Sequence, residues 1–160
     1  MDNIPVGFNL LLTGVRQGDT YAMYTSEPES LAQLADYLTR FQSPVVTFNG
    51  ARFDLPVLSR WTREVLGREL VVNHHYDLMI EITKAAGRRI SLDLLSQYTF
   101  GDEKLPWDFH RNAKVWATEP QQLMDYNRID LDLTHGLFMR VLRGEHLFLG
   151  DATVLLPAPA

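Results

Sequence analysis

The chain contains no cysteine, which excludes zinc–thiolate sites, cysteine nucleophiles and disulfide frameworks. It has no apolar run long enough to cross a bilayer, and its opening residues lack the pattern of a secretion signal. A basic surplus is missing as well: 15 Lys and Arg stand against 20 Asp and Glu, a formal net charge of −5. That balance argues against strong non-specific binding to duplex nucleic acid, which basic surface drives. It leaves room for a metal-dependent nuclease, in which ions bring positive charge to the reacting phosphate. No internal repeat and no linker divides the sequence. What is present is 46% hydrophobic residues over 160 positions, enough for the core of one globular domain. These features predict a domain over residues 1–149, a mobile tail over 150–160 ending Pro-Ala-Pro-Ala, and a cytoplasmic location by default.

The chain reads as a β-hairpin, then helix, strand, helix, strand, helix, helix and one long helix. The hairpin spans Gly7–Val15 and Thr20–Thr25 around Gln17-Gly18-Asp19. A helix over 27–41 starts at the capping box Ser26-Glu-Pro-Glu29 and presents Leu31, Leu34, Leu38 and Phe41 on one face. Ser43-Pro44 breaks it before a strand at Val45. A helix over 55–66 buries Leu58, Trp61 and Val65 and ends at Gly67. Leu70-Val-Val predicts a short strand leading into His74-His75-Tyr76-Asp77 and a helix over 78–86. Ser91 caps a helix over 92–99 that ends near Gly101, and residues 102–117 read as irregular. From Glu119 to Arg143 a long helix opens at the capping box Thr118-Glu-Pro-Gln121 and closes at Gly144.

Two places carry chemistry. Val45-Val-Thr-Phe-Asn-Gly-Ala-Arg-Phe-Asp54 reads as a buried strand that breaks at Gly50 and leaves Asp54 at the mouth of the next helix. The carboxyl end of such a strand is where open α/β sheets place their ligands. Asn49 adds an amide able to hold a phosphate or orient the carboxylate, and Arg52, inside the turn, can hold a phosphate. The simpler reading makes Asp54 an N-cap. The second place is the long helix, whose apolar stripe is Leu123, Tyr126, Leu133, Leu137 and Val141. Asp130 falls inside that stripe, one turn beyond Tyr126. An inward carboxylate is costly unless paired, hydrogen-bonded or metal-bound. Asp125 and Asp132 fall on the opposite, solvated face.

Asn49-Gly-Ala-Arg-Phe53-Asp54 followed by Tyr126-Asn-Arg-Ile-Asp130 resembles the second and third motifs of the DEDD-type 3′–5′ exonucleases, in the subclass with tyrosine rather than histidine. The resemblance extends over about residues 8 to 143. It implies a ribonuclease-H-like α/β fold, a mixed sheet with flanking helices whose opening strand is missing or degenerate. In that family four carboxylates hold two divalent ions ~4 Å apart for in-line displacement at phosphorus. By resemblance Asp54 and Asp130 are ligands of Mg²⁺ or Mn²⁺, Tyr126 orients the attacking water, Asn49 positions, and the substrate is the 3′ end of single-stranded DNA or RNA.

The family's first motif, Asp-x-Glu, has no counterpart upstream of Asp54. In one alignment the chain begins after the first strand; in the other Asn9 and Leu11 stand where the acids usually do. The first keeps the hairpin and helix in order. It leaves two strand edges facing a gap, which predicts closure by direct contact of the flanking strands or by a strand from a partner chain or second copy. Three functional classes follow: a metal-dependent exonuclease, a non-catalytic nucleic-acid-binding or scaffolding descendant, and an unrelated α/β domain in which Asp130 is a satisfied core acid. Other candidates read as structural: a metal reading of His74-His75 fails because adjacent strand positions point to opposite faces, and Asp77 reads as an N-cap rather than a ligand, though by resemblance its position lies beside the site. His110, His135 and His146 read as solvated, and Arg88, Arg89 and Lys104, alternatives to Arg52 for holding a phosphate, read as exposed charges. Tyr98, Phe100, Trp107 and Trp116 are core aromatics or, alternatively, stacking platforms for bases.

Overall fold

The computed structural model describes residues 10, 12–101 and 112–160, with the side chains of 112 and 113 left aside. β1 (Leu12–Gln17) and β2 (Thr20–Thr25) form an antiparallel hairpin, with Gln17 opposite Thr20. α1 (Pro28–Arg40) follows, then β3 (Val45–Thr47) and α2 (Asp54–Leu66). β4 (His75–Asp77) lies parallel to β3, with Val45 opposite His75 and Thr47 opposite Asp77. α3 (Leu78–Ala86), α4 (Leu92–Phe100), α5 (Asn112–Thr118) and α6 (Pro120–Leu142) come next, and β5 (Leu147–Phe148) pairs antiparallel with β6 (Thr153–Val154). The architecture is α/β, as the sequence predicts. No helix among the described residues is long and apolar enough to cross a membrane.

Two apolar clusters sit on the two sides of β3. One gathers Leu10, Leu31, Leu34, Leu38, Val57 and Leu58, with Val15, Tyr24, Val45 and Trp61 against it. The other gathers Tyr76, Leu78, Ile82, Leu95, Leu137, Val141 and Leu147, with Val46 and Phe48 against it. Val45 and Val46 therefore face opposite clusters, as strand alternation requires. The hairpin and β3 share the α1–α2 cluster, and α6 packs on both β1 and β3. Both ladders thus occupy one layer between the same helices. They are nonetheless separate two-stranded ladders, and β1 and β3 are not hydrogen-bonded to each other among the described residues. Direct closure between the flanking strands is therefore not the arrangement found there.

Gly14 lets α6 come this close to the hairpin. A Cβ built there would lie 1.8 Å from Asn127 Oδ1 and 2.9 Å from a Leu131 methyl. The contact is reinforced at Asp132, which accepts from Arg16 at 2.8 Å and from the Tyr21 hydroxyl. Asp132 is thus a pin between helix and hairpin rather than a merely solvated charge.

Several boundaries differ from expectation for local reasons. The strand expected at Leu70-Val-Val lies instead at His75–Asp77, where the chain reaches β3. Neither predicted capping box forms: Glu27 and Glu119 are the N-caps of α1 and α6, with no side-chain cap bond, and a proline in the first turn makes each start. Residues 112–117, read as irregular, belong to α5, while Asn9, Leu11, Lys104, Trp107 and His110 lie outside the described residues. The segment after Leu149, expected as a mobile tail, lies against the core: Val154 and Leu156 are buried, and Tyr76 donates to the Pro157 carbonyl at 2.7 Å.

Candidate functional site

The site is built around the connection from β3 to α2. Asn49 adopts φ of 66°, a left-handed conformation that asparagine tolerates better than most residues. Asp77, at the end of β4 and only 4% exposed, holds that turn in place. Its Oδ1 accepts from the Asn49 and Met79 amides and its Oδ2 from the Ala51 amide, each at 2.9 Å. Parallel pairing of β3 with β4 makes this possible, since it places Asp77 opposite Thr47, two residues before Asn49. Asp77 is the N-cap of α3, as the sequence predicts, and also the clamp of the neighbouring turn. Gly50 completes the geometry: its amide donates to Thr47 Oγ1 at 3.2 Å, and a Cβ there would meet the Thr47 side chain at 2.5 Å.

Asp54 is the first residue of α2, but it does not cap it. The N-cap is Phe53, without a side-chain cap bond, so the simpler role considered for Asp54 is not the one it takes. Asp54 as a whole residue is exposed, yet protein crowds its carboxyl. That desolvation, then the negative charges of Asp77 and Asp130, push its pKa up to about 6. Asp130 comes from α6, four residues after Tyr126 and on the same helical face. Tyr126 is buried at 8% exposure, whereas Asp130 is half-buried. The fold thus brings Asp54, Asp77 and Asp130 into one electrostatic neighbourhood, with Asp77 engaged by backbone amides.

Arg52 is exposed on the turn, its amide donating to the Asn49 carbonyl at 3.3 Å. Of the arginines that the sequence offers beside Arg52, Arg89 is the one that meets the turn. After α3 ends at Gly87, Arg88 pairs with Asp151, while Arg89 crosses to donate to Asn49 Oδ1 at 2.8 Å. Nothing in the local pattern of adjacent arginines distinguishes the two; only the partners brought by β5–β6 and by the turn do so.

His75 hydrogen-bonds Thr47 Oγ1 at 2.8 Å, and desolvation holds its pKa down. His74 accepts from the Val45 amide through its carbonyl. His135 is half-buried with its pKa lowered, first by desolvation and then by Arg16, so it faces the hairpin side rather than open solvent. Phe100 packs against the core, and Tyr98 stays 47% exposed.

Among the described residues no group of three or more His, Asp or Glu has the geometry to hold a metal ion. The carboxylates that the sequence offers as cation donors are Asp54 and Asp130, and Asp130 is close enough for its charge to add to the desolvation that raises the Asp54 pKa. Hard oxygen donors suit Mg²⁺ or Mn²⁺, and Mg²⁺ in particular is commonly held by one or two carboxylates with water and substrate phosphate filling its other positions. A pair of carboxylates is, in its chemistry, a donor set of that kind. A model of the RNase H superfamily matches residues 8–105, which takes in β1 to α4, the 49–54 turn and Arg89, and stops before α6. A search of curated proteins found no match.

Proposed function

Because the chain belongs to the RNase H superfamily, we propose that it is a metal-dependent nuclease domain acting on nucleic acid phosphodiesters from a single-stranded 3′ end. The observation that carries this reading is Asp54: a carboxylate opening α2 after the turn that follows β3, which is not the N-cap of that helix and whose pKa is raised by desolvation and then by the charges of Asp77 and, from a distant helix, Asp130. Asp54 and Asp130 hold Mg²⁺ or Mn²⁺. When bound, the ion supplies Lewis-acid charge at the reacting phosphate and eases ionisation of the attacking water. Tyr126 orients that water from the same face of α6, and Asn49 and Arg52 hold the phosphate at the turn. The 3′–5′ polarity rests on the resemblance of Tyr126 to Asp130 to the exonuclease motif. We place the domain in the cytoplasm by default.

A second reading is favoured by the small number of acids. With two carboxylates available and no Asp-x-Glu in the sequence, the domain binds nucleic acid without cutting it, or cuts only when a partner chain or second copy adds a strand beside β1 and β3. Incubation of the pure protein with end-labelled single strands of DNA and RNA, with Mg²⁺ or Mn²⁺ and with chelator, separates these. Stepwise shortening from the 3′ end that disappears in Asp54→Ala supports the enzyme. Metal binding without shortening supports the non-catalytic domain, and neither metal binding nor shortening overturns the metal-site reading.

A further inference from the structure

We propose that Arg89 is a second phosphate-binding residue of the site, aimed by Asn49 at the backbone of a bound single strand. The inference deepens the nucleic-acid reading above and rests on it. Arg89 reaches the turn from the α3–α4 connection, a part of the chain that shares no motif with Asn49 or Asp54. Its Nη2 donates to Asn49 Oδ1 at 2.8 Å, and it has no acidic partner among the described residues. Arg88 beside it is neutralised by Asp151. The Asn49 end of that bond is fixed twice, by a left-handed backbone and by the bond from its amide to Asp77. A residue held in a sparsely populated conformation by its surroundings is a common way of aiming a functional group.

The chemistry of the contact favours an anion. A guanidinium carries five N–H donors, and the bond to a neutral amide uses one while leaving the charge uncompensated. The remaining donors form the planar fork that matches two phosphate oxygens. Arg52 stands on the same turn, so two cations flank an acidic site in a chain of net charge −5. An anion drawn to such a place must meet positive charge at its rim while its reacting phosphorus approaches the carboxylates. A strand with several phosphates does this; a lone anion would meet the carboxylates unscreened.

The test is binding of a fluorescein-labelled oligothymidylate by anisotropy over a salt series in EDTA, where neither metal nor turnover contributes. Loss of one phosphate contact to a single strand lowers the steepness of log K against log[salt] by about 0.7, which corresponds to about fivefold weaker binding at ~0.1 M salt. Arg89→Gln is expected to show both changes with an unaltered melting temperature, and Arg89→Lys is expected to keep the slope. Weaker binding with an unchanged slope would mean that Arg89 only props the turn, and would overturn the proposal. So would no strand binding by the wild-type protein, or affinity unchanged in Arg89→Gln. A reduced slope in Arg89→Gln, with no metal-dependent cleavage by the wild type, would leave this inference standing while removing the nuclease reading.

Discussion

The carboxylate of Asp77 fixes the backbone of Asn49: one oxygen accepts the Asn49 amide at 2.9 Å and the other accepts the Ala51 amide at the same distance. A side chain from β4 thereby shapes the turn that presents Asp54. Asparagine at position 77 offers one acceptor and turns an N–H₂ toward a backbone donor. Asp77→Asn is expected to cost about 3 kcal/mol, since hydrogen bonds to a buried charged group are each worth roughly 1.5–3 kcal/mol. Urea denaturation measures it; a loss below ~1 kcal/mol would mean that the turn holds itself.

Gly14 tests the seating of α6. The added methyl of Gly14→Ala meets Asn127 and Leu131 and must displace them. A loss of about 2 kcal/mol is expected, the usual scale for overpacking. Because Asn127 lies one residue after Tyr126 and three before Asp130, strand binding or cleavage should fall further than stability explains.

The C-terminal segment tests whether residues after Leu149 belong to the domain. Removing 153–160 deletes buried Val154 and Leu156 and the acceptor of the Tyr76 hydroxyl. At roughly 1.5–3 kcal/mol for each buried aliphatic side chain, truncation should cost about 4 kcal/mol. An unchanged denaturation midpoint would identify the segment as a dispensable tail.

The pH dependence follows from Asp54. Its pKa of about 6 in the folded protein lies above its ordinary value of 3.8, so ionisation is harder in the native state than in the unfolded chain. The resulting penalty is absent below pH 3.8, grows between 3.8 and about 6, and is fully present above 6. Asp54→Asn removes it. The variant should therefore melt above wild type at pH 7.5, with the difference closing as pH falls to 4. A variant less stable than wild type at pH 7.5 would show that Asp54 is a structural partner instead.

The sequence made the helices legible because apolar spacing at 31, 34 and 38, and at 123, 126, 137 and 141, is what their packing faces use. It also made the Asn49–Asp54 turn and the inward Asp130 legible, since a strand end and a carboxylate in an apolar stripe are local signals. Non-local facts were not legible. The strand at His75–Asp77 exists because β3 offers it an edge, which outweighs the greater apolarity of Leu70-Val-Val. Proline in the first turn replaced the predicted capping boxes. The short apolar run Val154-Leu-Leu156 lies beside a Pro-Ala-Pro-Ala ending with no helical or strand periodicity, so the sequence did not reveal that Val154 and Leu156 are buried. Arg89 differs from Arg88 only through what the fold places opposite each.

Thermal melting of wild type, Asp54→Asn and Asp130→Asn, each with Mn²⁺ and with chelator at pH 7.5, tests most directly whether Asp54 and Asp130 form a metal site. A ligand that binds only the folded state raises its stability by mass action, and here it also relieves repulsion between the two acids. Mn²⁺ is expected to raise the melting temperature of wild type and to leave both variants unmoved, with the metal-free variants at least as stable as metal-free wild type. Equal wild-type melting temperatures with Mn²⁺ and with chelator would contradict a metal site there.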